Sequence, residues 1–170
     1  MSDYNLQIVC HKDASPEVLN RVIVMKQNAW PYPKESQMKW IEDNLQQGDI
    51  HVFLQDDNKD VAYLNLVQIQ ANINDRIQNG LGIGNVCAKI RGRGYGRELL
   101  NLTNAYLNAS GKFGLLFCHK PLVQFYSGCN WMLLSSEKCI NPKLDEGIYA
   151  MVYNTPVSVI DFIDYKGKLF

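Results

Sequence analysis

The chain has 170 residues, 46% of them hydrophobic, and its 17 Lys and Arg balance 17 Asp and Glu to a net charge of zero. That length suits one domain with a proper core, and the charge balance gives no global field toward nucleic acid or an anionic membrane. No apolar run approaches ~18 residues and the N-terminus lacks a basic-then-apolar signal, so a soluble, cytoplasmic protein is expected, with no membrane partner. The five cysteines (Cys10, Cys87, Cys118, Cys129, Cys139) include no C-x-x-C pair and sit near no histidine cluster. Buried, reduced thiols are therefore expected, and no metal site.

In chain order, residues 4–11 alternate as a first strand. Ser15-Pro16-Glu17 reads as N-cap, N1 proline and first-turn acid of a helix whose Val18, Val22, Met25 and Ala29 follow at helical spacing. Trp30-Pro-Tyr-Pro33 interrupts it, because neither proline can continue a helix. A second helix resumes near Lys34, with Met38, Ile41 and Leu45 on one face, and stops at Gly48. Residues 49–55 and 59–74 form two strands joined by Asp56-Asp57-Asn58, a hairpin composition. The longer strand is apolar on both faces to Leu66 and on one face beyond it, so only its first half is covered on both sides. A strand over 81–87 leads into a helix over 94–109 with Leu99, Leu102 and Tyr106 inward. Strand 113–118, helix 120–128 and strands 131–136 and 147–153 follow, with a polar loop over 138–146 and an apolar–acidic tail from Thr155. That apolar tail is the one feature suggesting a homodimer.

The functional information concentrates between Val86 and Leu100, Val-Cys-Ala-Lys-Ile-Arg-Gly-Arg-Gly-Tyr-Gly-Arg-Glu-Leu-Leu. Glycines at 92, 94 and 96 join a strand to a helix start, whose unpaired N–H groups suit an anion. Arg91, Arg93 and Arg97 add positive charge on either side. A Rossmann fingerprint needs G-x-G-x-x-G and an acid about 20 residues on, and a P-loop needs G-x-x-x-x-G-K-[ST]; neither fits. Arg93-Gly94-Tyr95-Gly96 opens like an RNA-binding stretch but runs into Arg-Glu-Leu-Leu rather than an aromatic strand, which excludes it.

What fits is [Arg/Gln]-x-x-Gly-x-[Gly/Ala], satisfied by Arg91-Gly92-Arg93-Gly94-Tyr95-Gly96. With the hydrophobic strand before it, this resembles the acyl-CoA-binding motif of the GNAT acetyltransferase superfamily. Pro121-Leu-Val-Gln-Phe-Tyr126-Ser-Gly-Cys-Asn-Trp131 resembles that superfamily's second signature, with Asn130 in place of the usual glycine. Asparagine also tolerates a left-handed helix cap, so the backbone requirement is met. The resemblance spans roughly residues 4–155 and implies a single GNAT domain over 1–170, with residues 156–170 as a tail. The implied fold class is α/β (α+β): a central mixed, mostly antiparallel twisted sheet of about seven strands, flanked by about four helices. The implied order is β-α-α-β-β-β-α-β-α-β-β.

The resemblance further implies acetyl-CoA as cosubstrate. Gly84, Asn85 and Val86 would contact its pantetheine arm; Arg91, Gly92, Arg93, Gly94, Tyr95, Gly96 and Arg97 would hold its pyrophosphate; His119 would touch the arm. Tyr126 falls on the general-acid tyrosine, and an ordinary phenol stays protonated at neutral pH. The general base is open. Residues 76–90 carry no carboxylate, leaving Glu42, Asp43, His51, Asp145, Glu146 or water. Trp30 and Tyr32, with Trp40, supply aromatic surface for an acceptor. The C-terminal patterns Asp145-Glu146-Gly-Ile-Tyr-Ala-Met and Asp164-Tyr-Lys-Gly-Lys-Leu-Phe are similar to small-molecule N-acetyltransferases of the aminoglycoside 2′ type. Acetyl transfer to the primary amine of a small molecule is the expectation. A protein or peptide acceptor and a non-catalytic CoA-binding sensor are the alternatives.

Overall fold

Two hairpins of left-handed residues shape the sheet in the computed structural model, which describes residues 4–170. Asp57 and Asn58 (φ 49° and 59°) join strand β2 (Ile50–Asp56) to β3 (Lys59–Ile73). Asn74 and Asp75 (φ 48° and 65°) join β3 to β4 (Arg76–Ala88) in the same way. Short polar side chains tolerate positive φ, and a two-residue turn of this hand matches the twist of the strands it connects. The second hairpin lengthens β4 by five residues beyond the 81–87 expected. Arg76 to Asn79 are largely exposed and polar, which hides a strand from a reading of apolar alternation.

Contacts divide the chain into two units. One holds the chain up to Val67 together with Gly84–Leu102; the other holds Gln68–Ile83 and Thr103–Phe170.

In the first unit, β1 (Tyr4–Cys10), β2 and the first half of β3 pair antiparallel, with Cys10 opposite Ile50 and His51 opposite Asn65. Helices α1 (Pro16–Gln27) and α2 (Lys34–Asn44) cover one face. Ser15 caps α1 through its hydroxyl, which accepts from the Val18 N–H, as the Ser-Pro-Glu pattern indicates. Val22, Ile23, Met25, Ile41 and Leu45 close over Phe53, Tyr63 and Cys87 to form the core. All of Val61 to Leu66 is buried.

In the second unit, the rest of β3 is followed by β4, β5 (Phe113–His119), β8 (Ile148–Tyr153) and β6 (Met132–Leu133). Here β3 alternates, with Ile69, Ala71 and Ile73 buried and Gln68 and Gln70 exposed, so its covering changes at the position the sequence indicated. Helix α3 (Tyr95–Ser110) begins in the first unit and ends in this one; α4 (Lys120–Ser127) follows β5. Two further two-residue strands, β7 (Cys139–Ile140) and β9 (Ile163–Asp164), pair with each other, and β9 also pairs with the end of β3. The described residues therefore hold nine strands and four α-helices, two strands more than expected. Both additions are too short to carry a periodic signal, and they arise where the expected polar loop and the tail meet.

One expectation is corrected. The buried stripe of α3 is Leu99, Leu100, Thr103, Asn104 and Leu107, while Leu102 and Tyr106 are only half-buried. Polar Thr103 and Asn104 hid that stripe. Asn104 belongs inside because its amide donates to the Cys129 carbonyl (2.8 Å) and accepts from the Trp131 indole (3.0 Å). The tail packs inward on its own unit: Ile160, Ile163 and Tyr165 are buried, and the Phe170 ring lies on Gly82 and against Phe117.

Gly114 of β5 faces the Trp131 indole so closely that a Cβ there would overlap it. Gly114→Ala is expected to cost about 1–3 kcal/mol by overpacking. An unchanged urea midpoint would show that the indole yields freely.

Candidate functional site

The parallel ladder between β4 and β5 has four rungs, from Gly80 opposite Phe113 to Ile83 opposite Leu116. Beyond Ile83, β4 has no ladder to β5 among the described residues, and it is there that Gly84, Asn85 and Val86 follow. Asn85 is the one residue inside a long strand with positive φ (53°). A left-handed residue breaks the alternation of a strand, re-aiming the amides on either side of it. The Asn85 side chain donates to Oδ1 of Asn65 on β3 at 2.6 Å, and Asn65 is 0% exposed.

β4 then runs into the glycine loop of the first unit. Gly92 and Gly94 have φ of 79° and 81°, and a Cβ at either would meet nothing within 4 Å. The demand for glycine is conformational there, and the space beside the main chain is open. α3 starts immediately afterwards, with the Glu98 N–H bonded to the Gly94 carbonyl. The first-turn N–H groups of α3 have no carbonyl within the helix. Arg91, Arg93 and Arg97 are exposed, and among the described residues none makes an ion pair. The Tyr95 hydroxyl is 3.4 Å from an Asp56 carboxylate oxygen, and its ring packs edge-on to Tyr4.

The connection between α1 and α2 is held by backbone acceptors. Buried Gln37 donates to the Trp30 carbonyl (2.7 Å), and Gln27 donates to that of Tyr32 (3.2 Å). Trp30 is half-buried against the core, whereas Tyr32 is 62% exposed and free to stack. Sequence reading passed over this segment's neighbour, Lys26. It is 3% exposed, its ammonium lies 3.6 Å from the Trp40 ring centroid, and among the described residues no carboxylate pairs with it. Burial brings its pKa down to about 8.

His51 is 0% exposed, with one ring nitrogen 2.8 Å from the Tyr63 hydroxyl and the other 2.9 Å from His11 Nδ1. Burial, then the nearby His11 and Lys26, lowers its pKa to about 4. With both nitrogens engaged and so little basicity, His51 is a poor base at neutral pH. Burial also pushes the Cys87 thiol up to about 12, which removes it as a reactive thiol. Of the other candidate bases, Glu42 is exposed, Asp43 pairs with Lys39 on the open face of α2, and Asp145 and Glu146 are exposed on the loop before β8.

In the second unit, Tyr126 lies in the last turn of α4 and is 7% exposed. Burial, reinforced by Cys118 and Cys129, holds its phenol well above the ordinary value. Asn130 adopts φ 67° just after the helix, and the Trp131 N–H reaches back to the Tyr126 carbonyl (3.1 Å). Asparagine thus serves as the left-handed cap in place of glycine. His119 is the N-cap of α4 and exposed, with no capping bond from its side chain. A cavity of about 440 Å³ in this unit is lined in part by Asp145 and Glu146.

No protein-family model matches the sequence, and no curated protein matches it. Solved structures do match in fold. Escherichia coli ElaA is 18% identical, over 88% of this chain and 99% of its own, with a TM-score of 0.62. An acyl-CoA N-acyltransferase from Pseudomonas aeruginosa is 16% identical over 89% and 99%, also at 0.62. The GNAT family N-acetyltransferase YhbS of Escherichia coli, solved in complex with CoA, is 14% identical over 97% and 91%, at 0.65. The chain therefore has the GNAT fold. No helix among the described residues is long and apolar enough to cross a membrane.

The buried imidazole makes a measurable claim. His51 resists protonation in the folded state, whereas the unfolded chain takes its proton near pH 6.5. The unfolded state thus binds more protons between pH 6.5 and about 4, and stability is lost as pH falls through that window. Urea unfolding at stepped pH is expected to show this loss in the wild type and a shallower one in His51→Asn; parallel curves would mean that the imidazole does not resist protonation.

Proposed function

We propose that this chain is an acetyl-CoA-dependent N-acetyltransferase, a single domain over residues 1–170 that transfers an acetyl group to the primary amine of a small molecule by direct attack in a ternary complex. One observation carries the reading. A strand whose ladder to β5 ends at Ile83 passes through a left-handed Asn85 into a loop with open space at Gly92 and Gly94, ending at a helix start flanked by three unpaired arginines. Those groups fit an extended amide arm followed by a diphosphate: strand backbone for the arm, loop and helix N–H groups for the anion, guanidinium groups for its charge. The GNAT fold, and the CoA complex of one protein that shares it, support the same reading.

Acetyl-CoA brings an activated thioester when bound, and the rest falls to the chain. The backbone of Gly84, Asn85 and Val86 orients the arm, and the Val86 N–H is suited to charge developing on the thioester oxygen. Arg91, Arg93 and Arg97, with the amides of Gly92, Gly94, Tyr95 and Gly96, bind the phosphates. Tyr126 keeps its proton at neutral pH because burial disfavours the phenolate, so its hydroxyl can donate to a departing thiolate. Trp30 and Tyr32 offer aromatic surface to the acceptor, and the cavity bearing Asp145 and Glu146 suits an ammonium. With no carboxylate on β4 and a weakly basic His51, the acceptor proton leaves through water, which favours amines of low pKa.

Two measurements test these assignments. Tyr126→Phe is expected to lower kcat by about 10²-fold while leaving acetyl-CoA affinity near wild type; an unchanged rate removes its role. Arg91→Ala and Arg93→Ala are each expected to weaken CoA binding by roughly 1–3 kcal/mol, since each removes a charge-assisted contact. Calorimetry giving wild-type affinity for both would refute the phosphate placement.

A further inference from the structure

We infer that Asn65 is a positioning residue for the acyl donor: its buried side-chain amide locks Asn85 in the left-handed conformation that opens β4. The inference rests on the reading of β4 as the strand that carries the donor arm.

Among the non-glycine residues of positive φ, Asp57, Asn58, Asn74 and Asp75 lie in hairpin turns, and Asn130 and Asn154 lie outside regular elements. Asn85 alone adopts that conformation within a strand. Inside a strand nothing in the ladder favours a left-handed residue, so a specific contact must hold it against relaxation to an extended form. The Asn65 contact answers that need. It is short (2.6 Å), and its acceptor belongs to a rigid, fully buried segment of β3, opposite His51 in the β2–β3 ladder.

The arrangement also carries a cost. Asn65 Nδ2 is buried and finds no acceptor. A buried unpaired donor is a recognised penalty, and an apolar side chain at 65 would avoid it. Leucine and alanine already occupy the neighbouring buried positions 62, 64 and 66. An amide is retained where packing would prefer a hydrocarbon, because its oxygen orients Asn85. Aspartate could supply the oxygen as well, but would bury a charge on the strand face that already holds neutral His51 and Tyr63.

A double-mutant cycle separates positioning from mere support of the fold. Asn65→Ala is expected to raise the Kd and KM for acetyl-CoA about tenfold, roughly 1.4 kcal/mol, with a smaller change in kcat. In the Asn85→Gly background the same change is expected to cost less than about twofold, because glycine adopts positive φ without help. A general packing role would instead cost the same in both backgrounds, alongside a lower melting temperature. Wild-type affinity in Asn65→Ala, or an equal loss in both backgrounds, overturns the inference while leaving the functional reading intact. If Asn65→Ala alone does not fold, the comparison within the Asn85→Gly background decides: a tenfold loss there overturns it. Calorimetry on the unmodified protein showing no acetyl-CoA binding would overturn the functional reading and this inference together.

Discussion

Four rungs of parallel ladder hold β4 to β5, and the chain's chemistry follows from where they stop. Backbone N–H groups cannot stay unpaired in a protein interior without cost. Past Ile83 the rungs to β5 stop while β3 stays alongside, the Lys89 N–H donating to the Val61 carbonyl. Asn85 reinforces the break, since a left-handed residue cannot continue the ladder, and Asn65 keeps it from relaxing. The glycine loop and the start of α3 continue the same theme over the next ten residues. In the proposed reading a stretch of main chain, rather than a set of side chains, would form the binding surface, with arginines supplying charge.

The side chains around it are tuned toward neutrality. Lys26 of α1 and the strand residues His51, Tyr63 and Cys87 are buried, and burial works on each in the direction that disfavours its charged form. No carboxylate balances them. His51 cannot act as a strong base in that setting, and Tyr126, buried in its own unit, cannot lose its proton near neutral pH. The one acid the proposed reaction calls for is kept protonated, and no strong base is provided. That combination matches an acceptor amine that sheds its proton readily to water.

Much of this was legible in residue patterns. Ser15-Pro16-Glu17, the Asp56-Asp57-Asn58 turn, the change of covering along β3 and the Asn130 cap each appear where local chemistry indicated them. Such features depend on φ preferences and on interactions within a few residues, so a single stretch of chain contains the cause. The misses share the opposite property. The α3 stripe includes Asn104 because of Cys129 and Trp131, about 25 residues downstream. β7 and β9 form where the loop and the tail pair with each other, β9 also pairing with the end of β3.

From its own composition the chain determined which backbone could bend: glycine at 92 and 94, asparagine at 85 and 130, each a residue that accepts positive φ at little cost. Tertiary structure decided which of those bends matter and what surrounds them. Whether β4 keeps a neighbour past Ile83, whether Lys26 meets a carboxylate, and whether Asn65 faces solvent or Asn85 are settled by residues distant in sequence. Burial then converts those neighbours into altered basicity, because removing water leaves the nearest dipole or charge as the only solvation a group retains.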